Sequence, residues 1–298
     1  MAKAVSQNLQ DSGWKISIFL RLGSERVQEA TNLGFTIHHI ENYHWKNHQA
    51  PLFFLFPDHE HKSFLETYGH HLPKNTLLLY AHGFSHTAFE FDKKYPHFHH
   101  SLFALKAIAH EVRQNYLSKK LLMVAADTDH HRNETEINKW LESMALACGI
   151  TLPFIKTTFK EECLADLFTE QSILCYFIPY LSEKIFTVMQ KKGISSEIAF
   201  VESFYEMKLI IDALLDVGPK KFFTLISPNA LIGSEWARKF YQNEISLNKM
   251  NEHWEELKNK NLAETFSIQK YRLEKQSNED YWKDHPLQLA YEKWKERK

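Results

Sequence analysis

Two segments of the chain place paired carboxylates in strongly apolar surroundings. Residues 164–181 read LADLFTEQSILCYFIPYL and carry Asp166 and Glu170. Residues 198–215 read IAFVESFYEMKLIIDALL and carry Glu202 and Glu206. Each pair is spaced i, i+4, so both acids share one face of a helix. Phe200, Val201, Phe204, Met207, Leu209, Ile210 and Ile211 leave that second segment little face for water, and a helix that is apolar all round is expected to be buried. Buried carboxylates are costly unless paired or bound to a cation. Hard oxygen donors without Cys or His select Mg²⁺ or Mn²⁺ over zinc. The plainer alternative is a solvated acidic stripe, or neutralisation by Lys or Arg; spacing alone leaves both open.

The elements that must hold these acids fall into two halves. Residues 14–20, 35–40, 51–56, 76–81, 101–105 and 121–126 have the bulky apolar character of strands. Helical patterns over 25–33, 64–68 and 134–147 alternate with them. That order indicates an α/β architecture with a mostly parallel sheet, whose ligands bind at the carboxyl ends of the strands. His82 sits just past such an end. From about residue 161 the pattern turns helical, over 164–189, 198–217, 236–247 and 248–258. The stretch from about residue 263 is polar, mixed in charge, and expected to wrap the surface. The division falls near residues 156–160.

Composition narrows the function classes. With 36 Lys+Arg against 37 Asp+Glu there is no basic surplus to hold nucleic acid or an anionic membrane. No apolar run approaches the ~20 residues of a membrane span, and residues 1–13 lack the apolar core of a signal peptide. Cys148, Cys163 and Cys175 are odd in number and form no Cys-x-x-Cys, which fits free thiols in a cytoplasmic protein. His59/His61 and His97/His99/His100 are read as surface compositional bias, since no zinc framework accompanies them.

The helical segments resemble those of the ketol-acid reductoisomerase family, class I form. The resemblance lies in FKEECLADLFTEQSILC (159–175), FVESFYEMKLIIDALLDVG (200–218), LISPNALIG (225–233) and AHGF (81–84), in order, out to DHP (284–286). It implies a Rossmann-like α/β domain over 1–158, incomplete at its N-terminus, followed by an all-α domain over 159–298. It further implies a Mg²⁺- and NADPH-dependent alkyl migration and reduction of 2-acetolactate-type acids, a small-molecule substrate, and a homodimer or higher oligomer with a shared active site. Asp166 would bridge two Mg²⁺ ions and Glu170 bind one. Glu202 and Glu206 would complete the metal site or touch substrate from across a dimer interface. Ser227 would hold the substrate carboxylate, His82 and Lys106 would be catalytic, and Arg21, Ser24, Asp58 and His82 would contact the cofactor, with Arg21 and Ser24 on its 2′-phosphate.

The chain departs from the family where the cofactor would lie. None of its nine glycines is spaced as G-x-G, so the dinucleotide fingerprint is absent, and the family's first strand and glycine loop have no counterpart. Residues 105–109 read LKAIA where the family has Pro-Lys-Gly-Pro-Gly. A non-reducing or inactive paralogue that keeps metal and a small 2-oxo or 2-hydroxy acid, and a structural dimerisation partner, therefore stand as alternatives.

Overall fold

The computed structural model describes residues 1–127, 134–243, 246–265 and 268–296. The chain forms two units, residues 1–163 with 261–263, and residues 164–260 with 264–298.

In the first unit, helix α1 (Ala2–Asp11) precedes β1 (Ser17–Leu20), α2 (Arg26–Asn32), β2 (Thr36–His39), β3 (Leu52–Phe54), α3 (Asp58–Tyr68) and β4 (Leu77–Tyr80). Two short helices, α4 (Phe84–Phe89) and α5 (Phe91–Lys94), lead to β5 (His99–Leu105). Then come α6 (Ala109–Ser118), β6 (Val124–Asp127), α7 (Glu134–Ala147), β7 (Ile155–Lys156) and α8 (Phe159–Thr169). β1 and β2 form a parallel pair, and β3-β4-β5-β6-β7 a separate sheet; no described strand joins the two. The larger sheet is parallel except between β5 and β6, where Leu102 faces Asp127 and Leu105 faces Val124 in antiparallel register.

Strand alternation sorts the core into two layers. Leu79 and Phe103 pack with Val5, Leu9, Val112, Leu141 and Met144 on one face. Leu78, Tyr80 and Leu102 pack with Phe54, Leu65, Phe91 and Phe159 on the other. Tyr80 and Phe103 are fully buried, and burial holds the Tyr80 phenol well above its ordinary pKa. Helix α1 is locked to α6 by polar bonds: the Asn8 amide donates to Val112 O, and Arg113 donates to Asn8 Oδ1 at 2.8 Å.

Two histidines correct the surface reading of their clusters. His61 is buried, with Nδ1 2.7 Å from Ser85 Oγ and Nε2 2.9 Å from Phe56 O. His100 is buried between Tyr80 Oη at 3.0 Å and Tyr95 O at 3.1 Å. Two polar ring atoms let an imidazole close gaps between elements that an aliphatic side chain would leave unsatisfied.

In the second unit, α8 runs on into a π-helical stretch (Glu170–Leu181) and α9 (Ser182–Lys191). α10 (Ser196–Phe200) passes through a π-turn (Val201–Tyr205) into α11 (Glu206–Leu225), which is broken at Gly218 with φ 75° ahead of Pro219. Helices α12 (Pro228–Phe240), α13 (Leu247–Asn259), α14 (Leu262–Thr265), α15 (Ile268–Lys283) and α16 (Pro286–Lys295) follow. The helix expected over 236–247 instead ends at Phe240; residues 244 and 245 lie outside the described ones. The C-terminal stretch is not a mere surface wrap. Leu287 and Ala290 of α16 are buried with Phe186, Ala199 and Phe200, and Tyr291 and Trp294 pack on them. The i, i+3, i+4, i+7 spacing of those four residues is the signal for it.

The expected all-round burial of the carboxylate helices does not occur within one chain. Ile173, Leu174, Leu209, Ile210 and Leu215 are exposed, Leu215 at 81%. Of the second segment, Ala199 and Phe200 are buried, in a cluster with Phe186, Leu287 and Ala290.

Candidate functional site

β4 ends at Tyr80, and the turn Ala81-His82-Gly83 starts α4. His82 Nδ1 accepts a hydrogen bond from Phe84 N at 3.1 Å, which assigns the Nε2 tautomer to the neutral ring and orients Nε2. β5 ends at Leu105, putting Lys106 at the neighbouring carboxyl edge, where its backbone N donates to Met123 O at 3.0 Å. β6 ends at Asp127, whose buried Oδ2 accepts from Phe159 N at 3.0 Å and so caps α8. That cap fixes the first turn of α8 at the end of β6.

The first turn of α8 brings in a residue that sequence reasoning did not single out. Glu162 is only 4% exposed. Its Oε1 accepts from Lys106 Nζ at 2.6 Å, its Oε2 from Gly83 N at 2.7 Å, and Oε2 lies 3.8 Å from His82 Nε2. Gly83 is required by proximity rather than by φ: a Cβ there would meet Phe159 O at 2.2 Å. Glu162 thus unites His82 and Lys106. Its sequence signal was present: it precedes Asp166 by four residues on the same helix, extending the Asp166/Glu170 register one turn back.

Asp58 begins α3 and accepts from Ser85 N at 3.4 Å, tying the α3 start to α4. Arg21 follows β1 and is ion-paired with Glu60. Leu22 N donates to Glu41 Oε2 at 3.0 Å, and Ser24 Oγ accepts from Arg26 N at 3.4 Å. Of the four residues expected on a cofactor, Asp58 and His82 flank α4, Arg21 contacts Glu60 next to Asp58, and Ser24 is turned to its own loop.

In the second unit Asp166 is half-buried and Glu170 exposed. Burial raises the pKa of the Cys175 thiol, and the charges of Glu170 and Asp166 add to that rise. Glu202 and Glu206 are exposed. Among the described residues they do not join Asp166 and Glu170 in a cluster of three potential ligands. Their i, i+4 spacing also spans the π-turn, where i→i+5 bonding shifts the face they share. Ser227 is exposed and caps α12, accepting from Ala230 N at 3.2 Å while its own hydroxyl proton can be donated. All three cysteines are free thiols; burial pushes Cys148 up to about 12.

The donor chemistry of Asp166 and Glu170, two hard carboxylates a turn apart, fits part of a Mg²⁺ site. Arg21, Asp58 and His82 follow β1, β3 and β4, as a nucleotide at the carboxyl edge of the strands requires; the fit to a 2′-phosphate is poorer, because Arg21 already faces a carboxylate.

Residues 159–295 match the family model described as "Ketol-acid reductoisomerase, C-terminal domain". Residues 1–152 match "Acetohydroxy acid isomeroreductase, NADPH-binding domain". A curated "Ketol-acid reductoisomerase (NADP(+))" of Pseudarthrobacter chlorophenolicus is 32% identical over 235 residues, covering 77% of this chain and 67% of that protein. One of the same name from Helicobacter acinonychis is 28% identical over 280 residues, 90% of this chain and 81% of that protein. A solved NADH-preferring ketol-acid reductoisomerase from an uncultured archean superposes with a TM-score of 0.81 at 24% identity, covering 99% of this chain and 91% of that one. A semialdehyde dehydrogenase NAD-binding protein from Cupriavidus necator gives 0.62 at 13% identity, over 88% and 93%. At these identities the two structures speak to the fold alone.

Proposed function

Because the chain belongs to the ketol-acid reductoisomerase family, we propose that it performs that family's reaction: alkyl migration in a 2-hydroxy-2-alkyl-3-oxo acid such as 2-acetolactate, then reduction of the new ketone by NADPH, in valine and isoleucine biosynthesis. The observation that carries this reading is the buried Glu162 carboxylate, which draws Lys106 and His82 to one point at the strand ends. Two Mg²⁺ ions, when bound, would supply Lewis acidity at the substrate's adjacent oxygens. Asp166 and Glu170 would hold them, with Glu202 and Glu206 supplied by a second copy of the chain. The exposed apolar residues of α11 support a dimer of that kind.

The residues have distinct tasks. Glu162 fixes the Lys106 ammonium, a positive charge placed against oxygens that become negative during migration. His82, oriented through Nδ1, holds Nε2 3.8 Å from the same carboxylate and can exchange a proton with substrate there. Ser227 would donate its hydroxyl proton to the substrate carboxylate. The free thiols fit a reducing cytoplasm, and no described helix is long and apolar enough to cross a membrane.

The test is Mg²⁺-dependent oxidation of NADPH with 2-acetolactate. Isomerisation without NADPH consumption would move the chain to a non-reducing isomerase. Calorimetry showing no Mg²⁺ binding would leave only a structural role.

A further inference from the structure

The loop after β1 carries an arginine already engaged by a carboxylate. Arg21 makes its ion pair with Glu60, which lies in the first turn of α3. The other Glu60 oxygen is 3.8 Å from His59 Nε2. A second carboxylate, Glu41, accepts from the backbone N of Leu22 at 3.0 Å. So two acids converge on a loop whose one cation at residue 21 is neutralised.

A ribose 2′-phosphate and a free ribose 2′-hydroxyl make opposite demands here. The phosphate needs Arg in an open fork; the hydroxyl needs only an acceptor such as a carboxylate. We infer that Glu60 is a specificity-determining residue: by occupying Arg21 it lowers affinity for the 2′-phosphate, so that NADPH and NADH bind comparably. This rests on the nucleotide-binding part of the function proposed above. The Arg21 side chain is 64% exposed, so the pair itself is weak and can open. Opening does not remove the Glu60 charge. A carboxylate about 4 Å from a phosphate oxygen in high dielectric costs about fivefold in affinity per unit of phosphate charge before screening.

The test is calorimetric titration of the full chain, without substrate, with NADPH and with NADH. Dissociation constants within about tenfold of each other support the inference. Glu60→Gln frees Arg21 and is expected to tighten NADPH about tenfold while leaving NADH unchanged. Arg21→Ala in the Glu60→Gln background removes both charges together and is expected to return NADPH affinity to within about threefold of the unaltered chain. If Glu60→Gln does not fold, Glu60→Ala is titrated in its place and is expected to tighten NADPH likewise. NADPH binding about a hundredfold tighter than NADH, or NADPH binding left unchanged by Glu60→Gln, overturns the role of Glu60 while leaving nucleotide binding intact. Binding of neither nucleotide overturns both readings.

Discussion

Replacing Glu162 by Gln tests whether the carboxylate is the element that assembles the site. The side chain is 2% exposed and keeps its volume in the variant. It loses a charged acceptor for Lys106 Nζ at 2.6 Å and for Gly83 N at 2.7 Å, and its new amide must turn N–H groups toward one of these donors. Removing one partner of a buried pair costs about 3–5 kcal/mol. A third of the Lys106 side chain is exposed and can rehydrate, which reduces the loss to about 2–3 kcal/mol. Lys106→Met should cost about 3 kcal/mol, because it strands a buried charge. The double variant should lose about 3 kcal/mol rather than the sum, a coupling of about 2 kcal/mol. Melts of the full chain in metal-free buffer, followed by circular dichroism, should show each single variant lower by roughly 5–10 °C. Single-variant losses below about 0.5 kcal/mol, or strictly additive ones, would refute the reasoning.

Gly83→Ala should destabilise the first unit by more than about 2 kcal/mol, read in the same melts, because its Cβ would meet backbone at Phe159 O. Asp166→Asn should weaken Mg²⁺ binding by calorimetry and raise metal-free stability by about 0.3 kcal/mol, since it relieves the i, i+4 repulsion with Glu170; a destabilised metal-free protein would contradict this. Burial lowers the pKa of His61 and of His48. The unfolded chain therefore binds more protons below the ordinary histidine value of about 6.5, and stability is full above it. Denaturant titrations should show stability falling from pH 7 toward 5, by up to about 1.4 kcal/mol per pH unit for each ring, and His61→Gln should flatten that slope.

The local grammar of the chain was legible in order. Bulky runs became β3, β4 and β5, Gly218 ended the long helical pattern before Pro219, and the i, i+4 acids fell on helices. The antiparallel turn of β6 was not, because an apolar strand buried on both faces reads alike in either direction. Nor was the docking of α16, where four apolar residues lie in a stretch of high charge.

Residue types and helical spacing by themselves determined which atoms could hold a cation and which strand ends could face a ligand, because both depend on neighbours a few positions apart. Only the tertiary structure decided that Glu162 joins Lys106 and His82, and that Arg21 is held by Glu60. Those partners are 56, 80 and 39 residues apart, and what unites them is the cap of Asp127 on α8 and the packing of α3, neither of which any short stretch of sequence encodes.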